Sequence, residues 1–531
     1  MKKRKLFATG LIFLLSIFLL IGCAPNNTSN SNTNTDTKQN EENTNSSGGT
    51  IKLAWNSQPP TLDTHTTNTN VVRDIARQIF ENLITFDENY ELAPMLAESF
   101  EESEDRKTIT FKLRKGVLFH NGKELKAEDV VASMTKWQQN GTAKTELGNS
   151  TWEAIDDYTV TLNVEKPSIS VLYRLADVTQ TASIMPKEVI EAADATGVKE
   201  FIGTGPFKLE EWKHDSYIKL AKFEGYKPLD APTSGLGGKK EALVDEIYIY
   251  FVSDISTRVN GVISGEYDYA FELPFDSMQQ LKSSPEVVID IWPYGFETLV
   301  FNKKGIFQDL RLRQAINHAI NNEELLSLAF TDKEFYRLEP AYMRPEQKNW
   351  YTQAGEENYN VYDVEKAKEL LKEADYKGEE VTILTSSDYR YHYDAAVITQ
   401  QSLEKIGMNV KLDVTDWATL LDRRKDPEKW DIFFTQFTTV ATPLAYPFLE
   451  SKVEYPGWTN SPDIDRLINE IRNSPSQEEA TAKFEELQAI IWSELPVINV
   501  GMANFISSYS NKVKGYSEFM GPIFWNTSIE Q

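Results

Sequence analysis

Residues 78–133 read QIFENLITFDENYELAPMLAESFEESEDRKTITFKLRKGVLFHNGKELKAEDVVAS, and this stretch decides how the rest of the chain is read. Within it, Thr108–Leu113 alternates as TITFKL, the pattern of a half-buried strand. Phe111, Leu113, Val117 and Phe119 fall on one expected buried face. Gly122 suits the turn before a helix expected over Ala127–Trp137. Most of the stretch is therefore a scaffold, with side chains that hold a fold rather than touch a ligand.

Working outward, the chain from Thr50 onward is α/β. Strands are expected at Thr50–Trp55, Tyr158–Val164, Leu243–Val252, Tyr267–Leu273 and Val287–Trp292. Helices are expected at Val71–Leu83 and Ile255–Ile263, the latter stopped by Gly265. The second half alternates more regularly. Arg313–Phe330 is read as one helix, and Asp363 caps another running to Ala374. Strands Val381–Thr385, Asn409–Val414 and Trp430–Thr435 interleave with helices Ala395–Ile406 and Asp416–Arg424, and a last helix covers Glu478–Ser493. Repeated β-α-β units predict a mainly parallel sheet covered on both faces.

The 531 residues allow two or three domains. The net charge of -25, with no basic stripe, argues against nucleic acid as a partner. Cys23 is the single cysteine, so an intrachain disulfide and a thiolate metal cluster are both excluded. The five histidines are scattered, and no zinc motif is present. We expect no metal and no cofactor.

At the N-terminus, Lys2, Lys3, Arg4 and Lys5 precede an apolar run from Leu6 to Gly22. That run is short for a spanning helix, which needs roughly 20 residues. The pattern is that of a secretory signal, with an uncleaved anchor as the alternative. The signal ends in Leu20-Ile21-Gly22-Cys23, which resembles the bacterial lipobox and implies lipidation of Cys23. Residues 24–49 are rich in Asn, Ser and Thr and read as a flexible tether, able to reach roughly 80–90 Å if extended.

Residues 78–133 also resemble the signature of the family 5 bacterial extracellular solute-binding proteins, the oligopeptide-, dipeptide- and nickel-binding group. The strings that carry the resemblance are Leu96–Ser99, Phe111–Gly122 and Ala127–Val130. Further matches in family order are Gly203–Phe207, Ser264–Asp268, Phe301-Asn302, Leu310–Ala315 and Asp363–Leu371. The resemblance implies a two-lobed, periplasmic-binding-protein-like fold of type II, in the large form with an extra subdomain in lobe one. Lobe one is expected to comprise residues 50–92, 200–297 and 502–531, with the subdomain at 93–199 and lobe two at 298–501. Crossings are expected near Glu297–Phe301 and Ile498–Met502. The ligand is expected between the lobes.

In parallel sheets, ligands meet loops at the carboxyl ends of strands. One such loop is Ser386–Tyr393, where the resemblance implies that Arg390 pairs a ligand carboxylate, beside Tyr391 and Tyr393. The other follows Thr435 and offers Phe437, Thr438 and Thr439. Peptide binders usually carry an aspartate there for the peptide ammonium. Here Val440 or Ala441 takes its place, and no carboxylate occurs between Asp431 and Glu450. Asp63 or Asp388 is a candidate replacement. In lobe one, Trp55, Asn56 and Asp63 are expected to face the cleft, as is Trp525, whereas Trp417 is expected in the core.

The resulting expectation is a monomeric, lipid-anchored binding protein on the outer face of the cytoplasmic membrane of a Gram-positive-type bacterium. It would capture a small solute, a peptide first of all, and deliver it to the permease and ATPase subunits of an ABC importer. A nickel chelate or other small anion is the alternative ligand, and a signalling receptor would share the architecture. A surface hydrolase is the remote alternative; no G-x-S-x-G elbow or strand-end carboxylate pair supports it.

Overall fold

The computed structural model describes residues 48–530. The expected signal segment, Cys23 and nearly all of the expected tether lie outside the described residues. No helix among the described residues is long and apolar enough to cross a membrane.

Two long antiparallel strands organise the body. Val287–Phe301 and Val497–Ser510 pair from Val287 opposite Ser510 to Val300 opposite Val497. The second of these hinge strands also pairs with Tyr269–Leu273, which leads into Thr50–Trp55 and Glu246–Phe251 and so builds lobe one. The first pairs with Ile432–Thr438, which leads into Glu380–Ser386 and Asn409–Thr415 and so builds lobe two. The ladder shifts register between Pro293 and Gly295 and again between Glu297 and Thr298. Proline has no N–H to give to a ladder, so Pro293 is tolerated at such an irregularity. Gly295 is required for a different reason: a Cβ there would lie 1.9 Å from the carbonyl oxygen of Phe437.

The sheet is mixed, which corrects the expectation of a mainly parallel one. Six of its ten strand pairings are antiparallel. The β-α alternation does give parallel pairs, but the hinge strands and the hairpin Phe207–Lys213/Tyr217–Lys222 contribute the rest.

A separate four-stranded antiparallel sheet forms the extra subdomain, in the order Ala97–Glu102, Thr108–Leu113, Thr159–Asn163, Thr151–Asp156. Phe111, Leu113, Val117 and Phe119 are all buried there. Each such side chain contributes about 1.5–3 kcal/mol. This subdomain also touches lobe two. The Ile169 N–H donates to the Arg472 carbonyl at 3.1 Å, and Arg106 Nη1 to that of Ser474 at 2.5 Å. The Tyr173 hydroxyl donates to Gln477 Oε1 at 3.0 Å, and Ala441 is buried within the subdomain's core.

Local boundaries differ where caps intervene. The helix expected over Arg313–Phe330 is two, Leu310–Ala319 and Asn322–Phe330, because the Asn321 side chain accepts the Glu324 N–H and starts the second. The helix expected from Ala395 begins at Arg390, and the strand expected to end at Thr435 runs to Thr438.

Candidate functional site in the cleft between the lobes

Aromatic rings gather where the hinge strands pass between the lobes. Trp292 and Tyr294 stand on the first hinge strand, Phe505 on the second, and Tyr391 on the first turn of helix Arg390–Lys405. Ring centroids lie 4.3 Å apart for Tyr294 and Phe505, 5.8 Å for Trp292 and Phe505, and 5.6 Å for Tyr391 and Phe505. Trp292 and Tyr294 line a cavity of about 250 Å³, and Tyr391 and Phe505 line another of about 350 Å³. Both cavities have walls from both lobes. Arg73 and Glu518 face Arg344, Glu346, Thr438 and Thr439 across the first. Asn56, Glu272 and Phe275 face Asp388, Tyr389 and Arg390 across the second. Concave, mainly apolar walls with a few charged groups suit a small-molecule site.

Charges of both signs are held there. In the first cavity Arg73 pairs with Asp74 at 2.6 Å and Arg344 with Glu346 at 3.1 Å. Glu518 accepts the Gly521 N–H at 2.7 Å, and burial pushes its carboxyl up to about 7. In the second, Glu272 has a left-handed backbone, φ +47°, and accepts from Asn56 Nδ2 at 2.6 Å. Burial pushes its carboxyl up to about 7 as well, against the pull of Arg258. Beside the hinge, buried Glu297 and His392 meet at 2.7 Å, and the His392 ring stacks on Trp417 at 5.5 Å. Burial raises the Glu297 carboxyl, and His392 opposes that shift. Among the described residues no group of three or more His, Cys, Asp or Glu side chains is placed to hold a metal ion.

The family model for bacterial extracellular solute-binding proteins, family 5 (Middle), matches residues 91–460. The chain belongs to this family. A probable peptide ABC transporter periplasmic-binding protein of Sinorhizobium fredii is 27% identical over 494 residues, covering 88% of this chain and 91% of the relative. The glutathione-binding protein of Escherichia coli is 25% identical over 487 residues, with the same coverages of 88% and 91%. Among solved structures, the periplasmic binding protein DppA of Helicobacter pylori, in complex with the peptide STSA, superposes with a TM-score of 0.74 at 25% identity. That match covers 92% of this chain and 99% of the other.

In this family 5 protein, Asn56, Arg390 and Tyr391 line the second cavity, and Thr438 and Thr439 the first. The Thr439 N–H donates to the Tyr294 carbonyl at 2.9 Å, which ties its strand to the hinge. Arg390 is on a helix rather than a loop. Its side chain is 80% exposed and pairs with Asp394 at 2.7 Å, so it lacks the desolvated setting expected for a carboxylate anchor. Tyr393 lies under that guanidinium, 5.6 Å from ring centre to Cζ, and lines neither cavity.

Four expectations need correction. Asp63 is wholly buried and pairs with Lys136 at 2.7 Å, so its charge is already satisfied. Trp55 is buried in lobe one, stacked on Phe271 at 4.3 Å. Trp525 packs with Val178, Leu236 and Ile523, under the Lys240 ammonium at 4.5 Å. Phe437 belongs to the lobe two core, 4.8 Å from Phe448. Trp417 is half-buried and packs against the lobe two core, stacked on His392.

The reading of the sequence missed Arg73, Glu272, Tyr294 and Glu518. Only Tyr294 has a local signal: it continues the strand expected over Val287–Trp292.

Proposed function

We propose that this protein captures a short peptide or peptide-like zwitterion in the interlobe cleft and delivers it to the permease and ATPase subunits of an ABC importer, with no chemistry of its own. The observation that carries this reading is the pair of aromatic-walled cavities, each bounded by both lobes and each holding cationic and anionic side chains. A zwitterion needs both signs of charge at the ends of an apolar slot. The missing aspartate near Val440 is not a lack of acid in the cleft: Glu88, Glu346 and Glu518 line the first cavity beside Thr438 and Thr439. The ligands for which these relatives are named, peptide and glutathione, agree in chemistry.

Contacts from two lobes exist together only when the cleft is closed, so ligand should select the closed form. Small-angle scattering with a millimolar mixture of tripeptides is expected to give a smaller radius of gyration than the protein alone. An unchanged radius under a mixture that binds by calorimetry would sink the hinge reading.

The location we propose is the outer face of the cytoplasmic membrane, held as a monomer by a lipidated Cys23. Two acyl chains supply stable anchoring where one is marginal. Cys23→Ala is expected to move the protein from the detergent phase to the aqueous phase on Triton X-114 partitioning. Equal retention of variant and native protein in the detergent phase would refute the anchor.

A further inference from the structure

The second cavity is uneven in charge. Arg258 and Arg390 are its cations, and both are engaged. Arg258 donates to the carbonyls of Val252, Ser253, Phe271 and Glu272 at 2.7–3.1 Å. Arg390 is given to Asp394 and solvent. Of the carboxylates, Asp388 accepts the Trp417 N–H at 2.8 Å, Asp394 has Arg390, and Asp276 is exposed to solvent. Glu272 differs. Its only side-chain partner is the neutral Asn56 amide, and no cation among the described residues pairs with it.

The rings of Phe275, Tyr389, Tyr391 and Phe505 share this cavity with Glu272. A half-buried carboxylate with no cation in direct contact is costly, and a cation arriving from the ligand reduces that cost. Ring faces add attraction for an ammonium or guanidinium, because their quadrupole is negative on the face. The left-handed backbone of Glu272, unusual outside glycine, is a strained conformation that the surrounding sheet maintains.

We propose that the second cavity receives a positively charged organic group of the ligand other than a peptide's own α-ammonium, such as a side-chain ammonium or guanidinium, with Glu272 as its countercharge and Tyr389 and Tyr391 beside it. This rests on the cleft being the ligand site, and it narrows the solute to one with a cationic end.

Acid should weaken this contact. Arg258 faces Glu272 from helix Ile255–Ser264, and Arg73 and Asp74 from helix Asn70–Ala76. Tyr294, Tyr389 and Tyr391 face it from the hinge strand and from lobe two, and all three phenols are pushed up, so they stay neutral. Asp276, Asp388, Arg390 and Asp394 line the same space. With its carboxyl near 7, Glu272 is more fully ionised at pH 8 than at pH 6. Affinity for a cation should therefore rise across that interval.

Calorimetric titration of trilysine, trialanine, triglutamate and agmatine into native protein, Glu272→Gln and Arg390→Ala, at pH 6 and 8, tests this. Native protein is expected to bind trilysine at least about tenfold more tightly than trialanine, and more tightly at pH 8. Glu272→Gln should lose both the preference and the pH effect while melting no lower than native protein. Arg390→Ala should keep the preference. If no tripeptide binds but agmatine does, with the same dependence on Glu272, the peptide reading falls and the cation site stands. Preference for trialanine or triglutamate, an unchanged trilysine affinity in Glu272→Gln, or no binding of any cationic probe overturns the proposal.

Discussion

Asp63→Ala is expected to lower the free energy of unfolding by about 3–5 kcal/mol and to leave ligand affinity unchanged. The carboxylate is fully buried. Its Oδ2 accepts from Lys136 at 2.7 Å and from the Val198 N–H at 3.0 Å, and its Oδ1 from the His65 N–H at 3.1 Å. Removing it strands the Lys136 ammonium, which is only 16% exposed, and orphans two backbone donors. Lys136 lies on the subdomain helix Ala127–Trp137, so the loss falls on the joint between subdomain and lobe. Calorimetric melting and ligand titration of the variant separate the two roles. A variant that melts with the native protein but binds poorly would return Asp63 to the cleft.

Glu518→Gln should act through pH. The folded carboxyl is pushed up to about 7 from an ordinary 4.5, so the native state holds this proton more tightly than the unfolded chain does. The contribution to stability is therefore fully present below about pH 4.5 and is lost as pH rises through 7. Glutamine does not titrate, and its amide oxygen can still accept the Gly521 N–H. Without ligand, the variant should match native protein at pH 4 and exceed it at pH 8 by on the order of 2 kcal/mol, after allowing for the partial exposure of the side chain. Scanning calorimetry at both values measures the difference. A gap of the same size at pH 4 would mean that the gain is packing rather than charge.

The parts of the fold legible in the sequence are those with local causes. Asp363 accepts the Glu365 and Lys366 N–H groups, Asp416 accepts that of Thr419, and Gly265 takes φ +76° where a helix ends. Each device works within four residues of itself. Helix Arg390–Lys405 was obscured at its start because Arg390–Asp394 has no apolar period and Tyr389 provides no side-chain cap. The first hinge strand was hidden past Trp292 by Pro293 and Gly295, residues that discourage an ordinary strand and suit a register shift. The cleft charges were illegible for a plainer reason. Asn56 meets Glu272 across 216 positions, and Glu297 meets His392 across 95. No spacing rule reaches that far, whereas family strings could point to the cleft without saying which acid sits in it.

The contacts from the subdomain to Arg472, Ser474, Gln477 and Ala441 bear on fidelity of delivery. They cross from lobe one to lobe two without involving cargo, so they favour the shut form whether or not anything is inside. A ligand's apparent affinity is its intrinsic affinity scaled by the fraction of molecules already competent to hold it, so stronger contacts here make a better scavenger. The same contacts populate an empty shut molecule, a counterfeit that competes with loaded ones for the importer. Each hydrogen bond contributes about 1 kcal/mol net, roughly a fivefold shift in that population. Such bonds, with the buried Ala441 methyl and the edge contact of Tyr173 on Trp350 at 6.3 Å, are a light clasp, weak enough that a charge met inside the cleft can still decide whether the molecule stays closed.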